Sequence, residues 1–136
     1  MVLVYPVAGT NTDTQSYRDN ATTAPLGKAD MEWFFDKVLA SEDDREDARL
    51  DLVGKADLSR LPSATIITAE IDPLRSEGQT LSDKLRAAGS TVRYRYYEGV
   101  THEFFGMAMV VPDAAAAQTF AAHELKRAFG TAILPI

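Results

Sequence analysis

An α/β fold of about three parallel strands flanked by helices is what this sequence predicts, and three observations predict it. From 64 to 107 the hydrophobic period changes twice: a β-branched apolar run gives way to a helical repeat and then to strict alternation, the pattern of a strand, helix, strand unit. Near the start, Val2-Leu3-Val4-Tyr5-Pro6-Val7 is apolar almost without interruption, as in a strand whose sheet has helices on both sides. Helical stripes follow each of these runs. A chain of 136 residues has room for one modest domain with a single core.

The first strand is expected near 2–7. Residues 8–27 are polar, rich in Thr, Asn, Asp and Ser, with Gly9, Pro25 and Gly27 as punctuation and no sustained period; they read as a long loop. A helix near 29–40 follows, because Met31, Phe34, Phe35, Val38 and Leu39 fall at i, i+3, i+4, i+7 and i+8; this stripe is expected in the core, with a substrate-lining helix as the alternative. Ser41-Glu42-Asp43-Asp44-Arg45-Glu46-Asp47 lacks the central glycine and terminal glutamate of a calcium loop and reads as a solvated charged face. Residues 50–61 connect to a strand near 64–70 that halts at Glu70-Ile71-Asp72-Pro73. In the helix near 76–89, Ser76 and Gln79 form a capping box, Leu81, Leu85 and Ala88 recur at helical spacing, and Gly89 takes the left-handed position that ends it. Val92, Tyr94 and Tyr96 alternate with Arg93, Arg95 and Tyr97 in a strand near 91–97, which runs out at Glu98-Gly99-Val100-Thr101 and delivers His102. A last helix near 113–129 is capped by Asp113, turns Ala117, Phe120, Ala121, Glu124, Leu125 and Ala128 inward, and stops at Gly130.

Parallel strands joined by a helix place both carboxyl ends on one edge of the sheet, where open α/β sheets hold their sites. Asp72 and His102 each follow a strand and are therefore expected to meet, a carboxylate to orient and an imidazole to carry protons. Asp72-Pro73-Leu74-Arg75-Ser76-Glu77-Gly78, followed by Tyr97-Glu98-Gly99-Val100-Thr101-His102-Glu103-Phe104-Phe105-Gly106-Met107, resembles the C-terminal part of a hormone-sensitive-lipase-like esterase of the α/β-hydrolase fold. The likeness extends through Leu58-Ser59-Arg60-Leu61-Pro62-Ser63-Ala64 and to Leu3-Val4-Tyr5-Pro6; Glu70 departs from it, standing where such sequences often carry a small residue. The resemblance implies that Asp72 and His102 are the acid and base of a Ser-His-Asp triad. It implies a single partial α/β-hydrolase domain over 1–136, with 8–55 a cap- or loop-like insertion between the first and second strands, of which 8–27 helps roof the acyl pocket. Trp33, off the apolar stripe, and Phe104, beside His102, are the side chains expected to bind substrate.

The nucleophile is absent. An α/β hydrolase presents its serine on a G-x-S-x-G elbow, and none of the serines at 16, 41, 59, 63, 76, 82 and 90 has glycines at that spacing; Ser76 has Gly78 after it but Leu74 before it. No HGGG-like oxyanion loop occurs either. The expected function is therefore a carboxylic ester hydrolase, lipase- or esterase-like, to which this chain supplies the Asp and His while being inactive alone. The alternative is a non-catalytic oligomerisation or binding module derived from a hydrolase, and a third reading makes Thr101 or Ser76 a nucleophile in its own right. Glu70 and Glu77 are competitors of Asp72 for His102, Glu103 either steers approach to the site or caps a turn, and His123, inside the last helix, reads as structural.

A formal charge of −6 and a pI near 4.8, with the basic residues dispersed among acids, argue against a nucleic-acid partner, which needs clustered Lys and Arg. Without cysteine there is no disulfide framework, thiolate metal site or cysteine nucleophile, and two distant histidines make no metal centre, so neither metal nor cofactor is expected. No apolar run approaches a membrane span and Met1-Val2-Leu3-Val4-Tyr5 does not read as a signal peptide, so a cytoplasmic location is expected. The expected partners are a small-molecule ester for the complete enzyme and, through the apolar edge of Val2 to Val7, either a second copy or a separate N-terminal half.

Overall fold

The computed structural model describes residues 1–131. Its elements are β1 (Val2–Val4), α1 (Gln15–Asp19), α2 (Lys28–Val38), α3 (Leu52–Lys55), β2 (Ala64–Ile71), α4 (Arg75–Ala87), β3 (Val92–Thr101) and α5 (Pro112–Ala128), with short 3-10 turns at Glu42–Glu46 and Phe104–Gly106. The three strands form one parallel sheet in the order β1-β2-β3. The expected α/β architecture is therefore the one observed.

β2 explains why the sheet sits where it does. Residues 64–69 are all buried, because Ile66 packs with Leu81 and Leu85 of α4 on one face while Ile67 packs with Ala117 and Ala121 of α5 on the other. Covering both faces contributes on the order of 2 kcal/mol for each isoleucine removed from water. α5 approaches closely because its inner side, Ala114, Ala117 and Ala121, is short. Gly89 ends α4 as expected: its φ is +95°, and Ser90 N–H donates back to Leu85 C=O at 2.9 Å.

Several expectations are corrected. The 8–27 loop contains α1, held by tertiary contacts that local polarity does not reveal: Tyr17 is fully buried, and Ser16 Oγ donates to Pro73 C=O at 2.6 Å while accepting Ser76 N–H at 3.0 Å. Ser76 is accordingly not a cap; α4 starts one residue earlier, and the Ser76 hydroxyl accepts Ser16 N–H at 3.1 Å. α5 likewise begins at Pro112, whose missing N–H costs nothing in the first turn, with Val111 rather than Asp113 at the cap. Leu125 and Ala128 lie outside the core, since the sheet is too narrow to cover the last turns of α5. The α2 stripe is only half buried: Met31 and Phe35 pack with Tyr17, Leu26 and Leu74, whereas Phe34 and Val38 are 49% and 69% exposed. β1 is shorter than expected and β3 longer.

Candidate active site

The extra length of β3 builds the site. Ala69 pairs with Tyr97, but Ile71 pairs with Thr101, so Glu98, Gly99 and Val100 together oppose Glu70 alone. Gly99 accommodates this with φ +70°, and its N–H donates to Glu70 Oε2 at 2.7 Å, so that the residue at the family's small position bridges the irregularity. Beyond it the strands rejoin, with His102 N–H donating to Ile71 C=O at 3.3 Å. The next residues, Asp72 and His102, emerge side by side on the carboxyl edge.

His102 Nδ1 lies 2.9 Å from Asp72 Oδ2. A carboxylate only accepts, so Nδ1 carries the hydrogen and Nε2 presents its lone pair outward. Asp72 is fully buried, and its other oxygen accepts Leu74 N–H at 2.8 Å, which fixes the carboxylate against the start of α4. Asn20 Nδ2 donates to Asp72 C=O at 3.4 Å, tying α1 to the same corner. Glu103, in the left-handed region at φ +70°, brings Oε1 to 3.7 Å from Nε2. Tyr5 lays its ring 4.3 Å, centroid to centroid, from the imidazole. Burial and the nearby Glu103 and Asp72 carboxylates push the Tyr5 hydroxyl up to about 12.

The other two acids are engaged elsewhere. Glu70 holds Gly99, and Glu77, buried in α4, accepts Ala8 N–H at 2.7 Å and Gly9 N–H at 3.4 Å through Oε1. Burial pushes Glu77 up to about 8 despite these two donors. Beside His102 opens a largely apolar cavity of about 430 Å³, walled by Tyr5, Leu26, Met31, Phe34, Phe35 and Leu74.

Of the four expected site residues, the fold brings two together and sets two apart. Trp33 is 57% exposed on the outer side of α2, edge-on to Phe34 at 5.2 Å, and does not line the cavity. Phe104 is 1% exposed, a core side chain packed between Tyr97 and Tyr5. Their neighbours on the chain or in space, Phe34 and Tyr5, line the cavity instead. Tyr5 carried a readable signal, since it stands at a strand end on the same edge as Asp72 and His102; in α2 the pattern sets Phe34 on the apolar stripe and Trp33 off it, but does not tell on which side the cavity opens. Among the described residues no hydroxyl is hydrogen-bonded to Nε2, no cluster of three His, Asp or Glu side chains suits a metal, and no helix is long and apolar enough to cross a membrane.

The alpha/beta hydrolase fold family matches residues 1–106. The carboxylic ester hydrolase LipN of Mycobacterium tuberculosis is 37% identical over 106 residues, 77% of this chain and 28% of LipN. The carboxylesterase NlhH of the same species is 34% identical over 130 residues, 93% of this chain and 41% of NlhH. Among solved structures, a hyperthermophilic esterase of Pyrobaculum calidifontis superposes with a TM-score of 0.88 at 30% identity, covering 96% of this chain and 43% of that one. This chain thus spans between about a quarter and somewhat under half the length of these relatives.

Proposed function

Because the chain belongs to the α/β-hydrolase fold family, among relatives that are carboxylesterases, we propose that it supplies the acid and base of a serine carboxylesterase site, with Asp72 orienting His102. The observation that carries this is the 2.9 Å contact between His102 Nδ1 and a fully buried Asp72 at adjacent strand ends. In the reaction, His102 Nε2 takes the proton of a serine hydroxyl as that oxygen attacks the ester carbonyl, then returns it to the leaving alcohol. Asp72 holds the imidazole in the required tautomer and stabilises its cation. The elbow serine and the oxyanion donors lie outside these 136 residues, so the chain alone is inactive. The substrate is a small uncharged ester, since a charged group would lose its hydration in the apolar cavity without a partner.

In the same reading, 1–136 is one partial domain, 8–55 is the insertion that walls the substrate cavity, and the setting is cytoplasmic. The open edge of β1 receives either the strands that carry the elbow or a second copy of this chain. Turnover of short p-nitrophenyl esters tests the proposal: no activity is expected from the chain alone, and activity is expected when an upstream half bearing the elbow is supplied. No rescue by any such half would favour a non-catalytic module, and fluorophosphonate labelling of this chain by itself would point to a different nucleophile.

A further inference from the structure

Resting on the reading of His102 as the base, we propose that Tyr5 is a positioning residue: its ring, backed by Phe104, holds the imidazole in the orientation set by Asp72 and stabilises the cation formed when His102 takes a proton. Two observations carry this. The first is the row of rings. Tyr5 and His102 have centroids 4.3 Å apart with planes tilted by 51°, within the range at which an aromatic face attracts a cation. One hydrogen bond does not fix a ring, because the imidazole can still swing about the line from Nδ1 to Asp72 and carry Nε2 away from an attacking hydroxyl. A second ring packed 4.3 Å away, centroid to centroid, removes that freedom. Tyr5 is itself supported, since Phe104 stands 6.3 Å from it and 5.3 Å from Tyr97, so that the support runs from the core to the site.

The second observation is the backbone. Tyr5 has φ +36° and directly precedes Pro6. A bulky residue at positive φ is an outlier, and the residue before proline is driven towards extended conformations, so two steric rules are broken at one position. Glycine would sit there with less strain, yet the position carries an aromatic ring. Tyr5 N–H still donates to Ile67 C=O at 2.7 Å, which makes it the last rung of the β1 pairing. The chain therefore turns sharply at the strand end, and the turn throws the ring across the tip of the sheet onto His102. Strain of this kind persists only where the surroundings hold it, and it collects at sites that need a side chain in one place.

Proton NMR on the chain as it stands tests the proposal. The wild-type chain should give nuclear Overhauser contacts between the Tyr5 and His102 rings, together with a slowly exchanging downfield resonance from the Nδ1 proton. Tyr5→Phe, which keeps the ring, should preserve both. Tyr5→Leu should speed exchange of the Nδ1 proton about fivefold while the Ile66 and Ile67 amide shifts stay in place. Absence of the ring contacts in the wild-type chain overturns the proposal whether or not the leucine variant folds; so does an exchange rate in that variant within about twofold of wild type. None of these readouts needs ester turnover. A failed complementation with the NMR signature intact would count against the esterase reading alone.

Discussion

Three residues of β3 set against one of β2 decide where Asp72 and His102 stand, and each consequence at this scale is measurable. In the complemented enzyme, Asp72→Asn should lower kcat on the order of 10³–10⁴-fold with KM little changed, because an amide that donates to Nδ1 leaves the hydrogen on Nε2, where the lone pair is needed. Glu77 makes a different prediction. Its folded-state value lies at about 8, against an ordinary 4.5, and burial is the cause. The folded chain therefore binds the Glu77 proton more tightly than the unfolded chain does. Stability from this group is complete below about 4.5 and is lost as the pH rises towards 8. Glu77→Gln keeps an acceptor for Ala8 and Gly9 without the charge, so its melting temperature should fall less than that of wild type between those two pH values. Parallel melting curves across that window would remove Glu77 from the account.

At the scale of elements, β2 and α4 are so closely set that one hydrogen atom of Gly78 matters. A Cβ there would meet Thr68 Cγ2 at 2.7 Å. Alanine would raise helix propensity by about 1 kcal/mol, but overpacking a closed core costs about 1–3 kcal/mol. Overpacking wins because Thr68 cannot retreat: it is 1% exposed and its hydroxyl is bonded to Tyr94 Oη at 2.7 Å. Gly78→Ala should therefore lower stability in urea unfolding by about 1–2 kcal/mol, and Thr68→Ser in the same chain, which deletes the offending methyl, should recover most of it. Equal losses with and without the serine would refute the clash. The same elements mark what the sequence discloses. β2, α4 and β3 were legible because each carries one clean period over enough residues to fix its faces, and the strand ends then named Asp72 and His102. α1 was not legible, since five polar-flanked residues form a helix only through bonds to Pro73 and Ser76 some sixty positions away. The stripe of α2 is legible only in part for a related reason: periodicity reports which side is apolar, not how much of it the rest of the fold covers.

For the molecule as a whole, the two edges of the sheet are unequal, and that inequality predicts how the chain associates. β3 is an edge blunted in two ways: Arg93 and Arg95 project from it, and the irregularity at Glu98 to Val100 breaks its ladder. β1 has neither protection. Val2, Leu3 and Val4 are uncharged and only half buried, and their far side is unpaired among the described residues. An edge of that kind pairs with whatever strand meets it, so the isolated chain should weigh more than its 14.9 kDa by light scattering at micromolar concentration. The contact can be removed without touching the fold. Met1 C=O accepts from Thr65 and Tyr5 N–H donates to Ile67, so odd-numbered positions face β2 and, by the alternation of a parallel ladder, the N–H of Val4 points outward. Val4→Pro deletes that outward donor and leaves the inward pairing intact, as proline does on natural edge strands. Its mass should fall to that of a monomer while the helical and strand signals in circular dichroism are unchanged. The same substitution should abolish rescue by an elbow-bearing half if that half docks by extending the sheet, since both partners would compete for one row of backbone groups. A wild-type chain that is monomeric at micromolar concentration, or a proline variant that still accepts the complementing half, would show that the edge of β1 is not the surface through which this fold is completed.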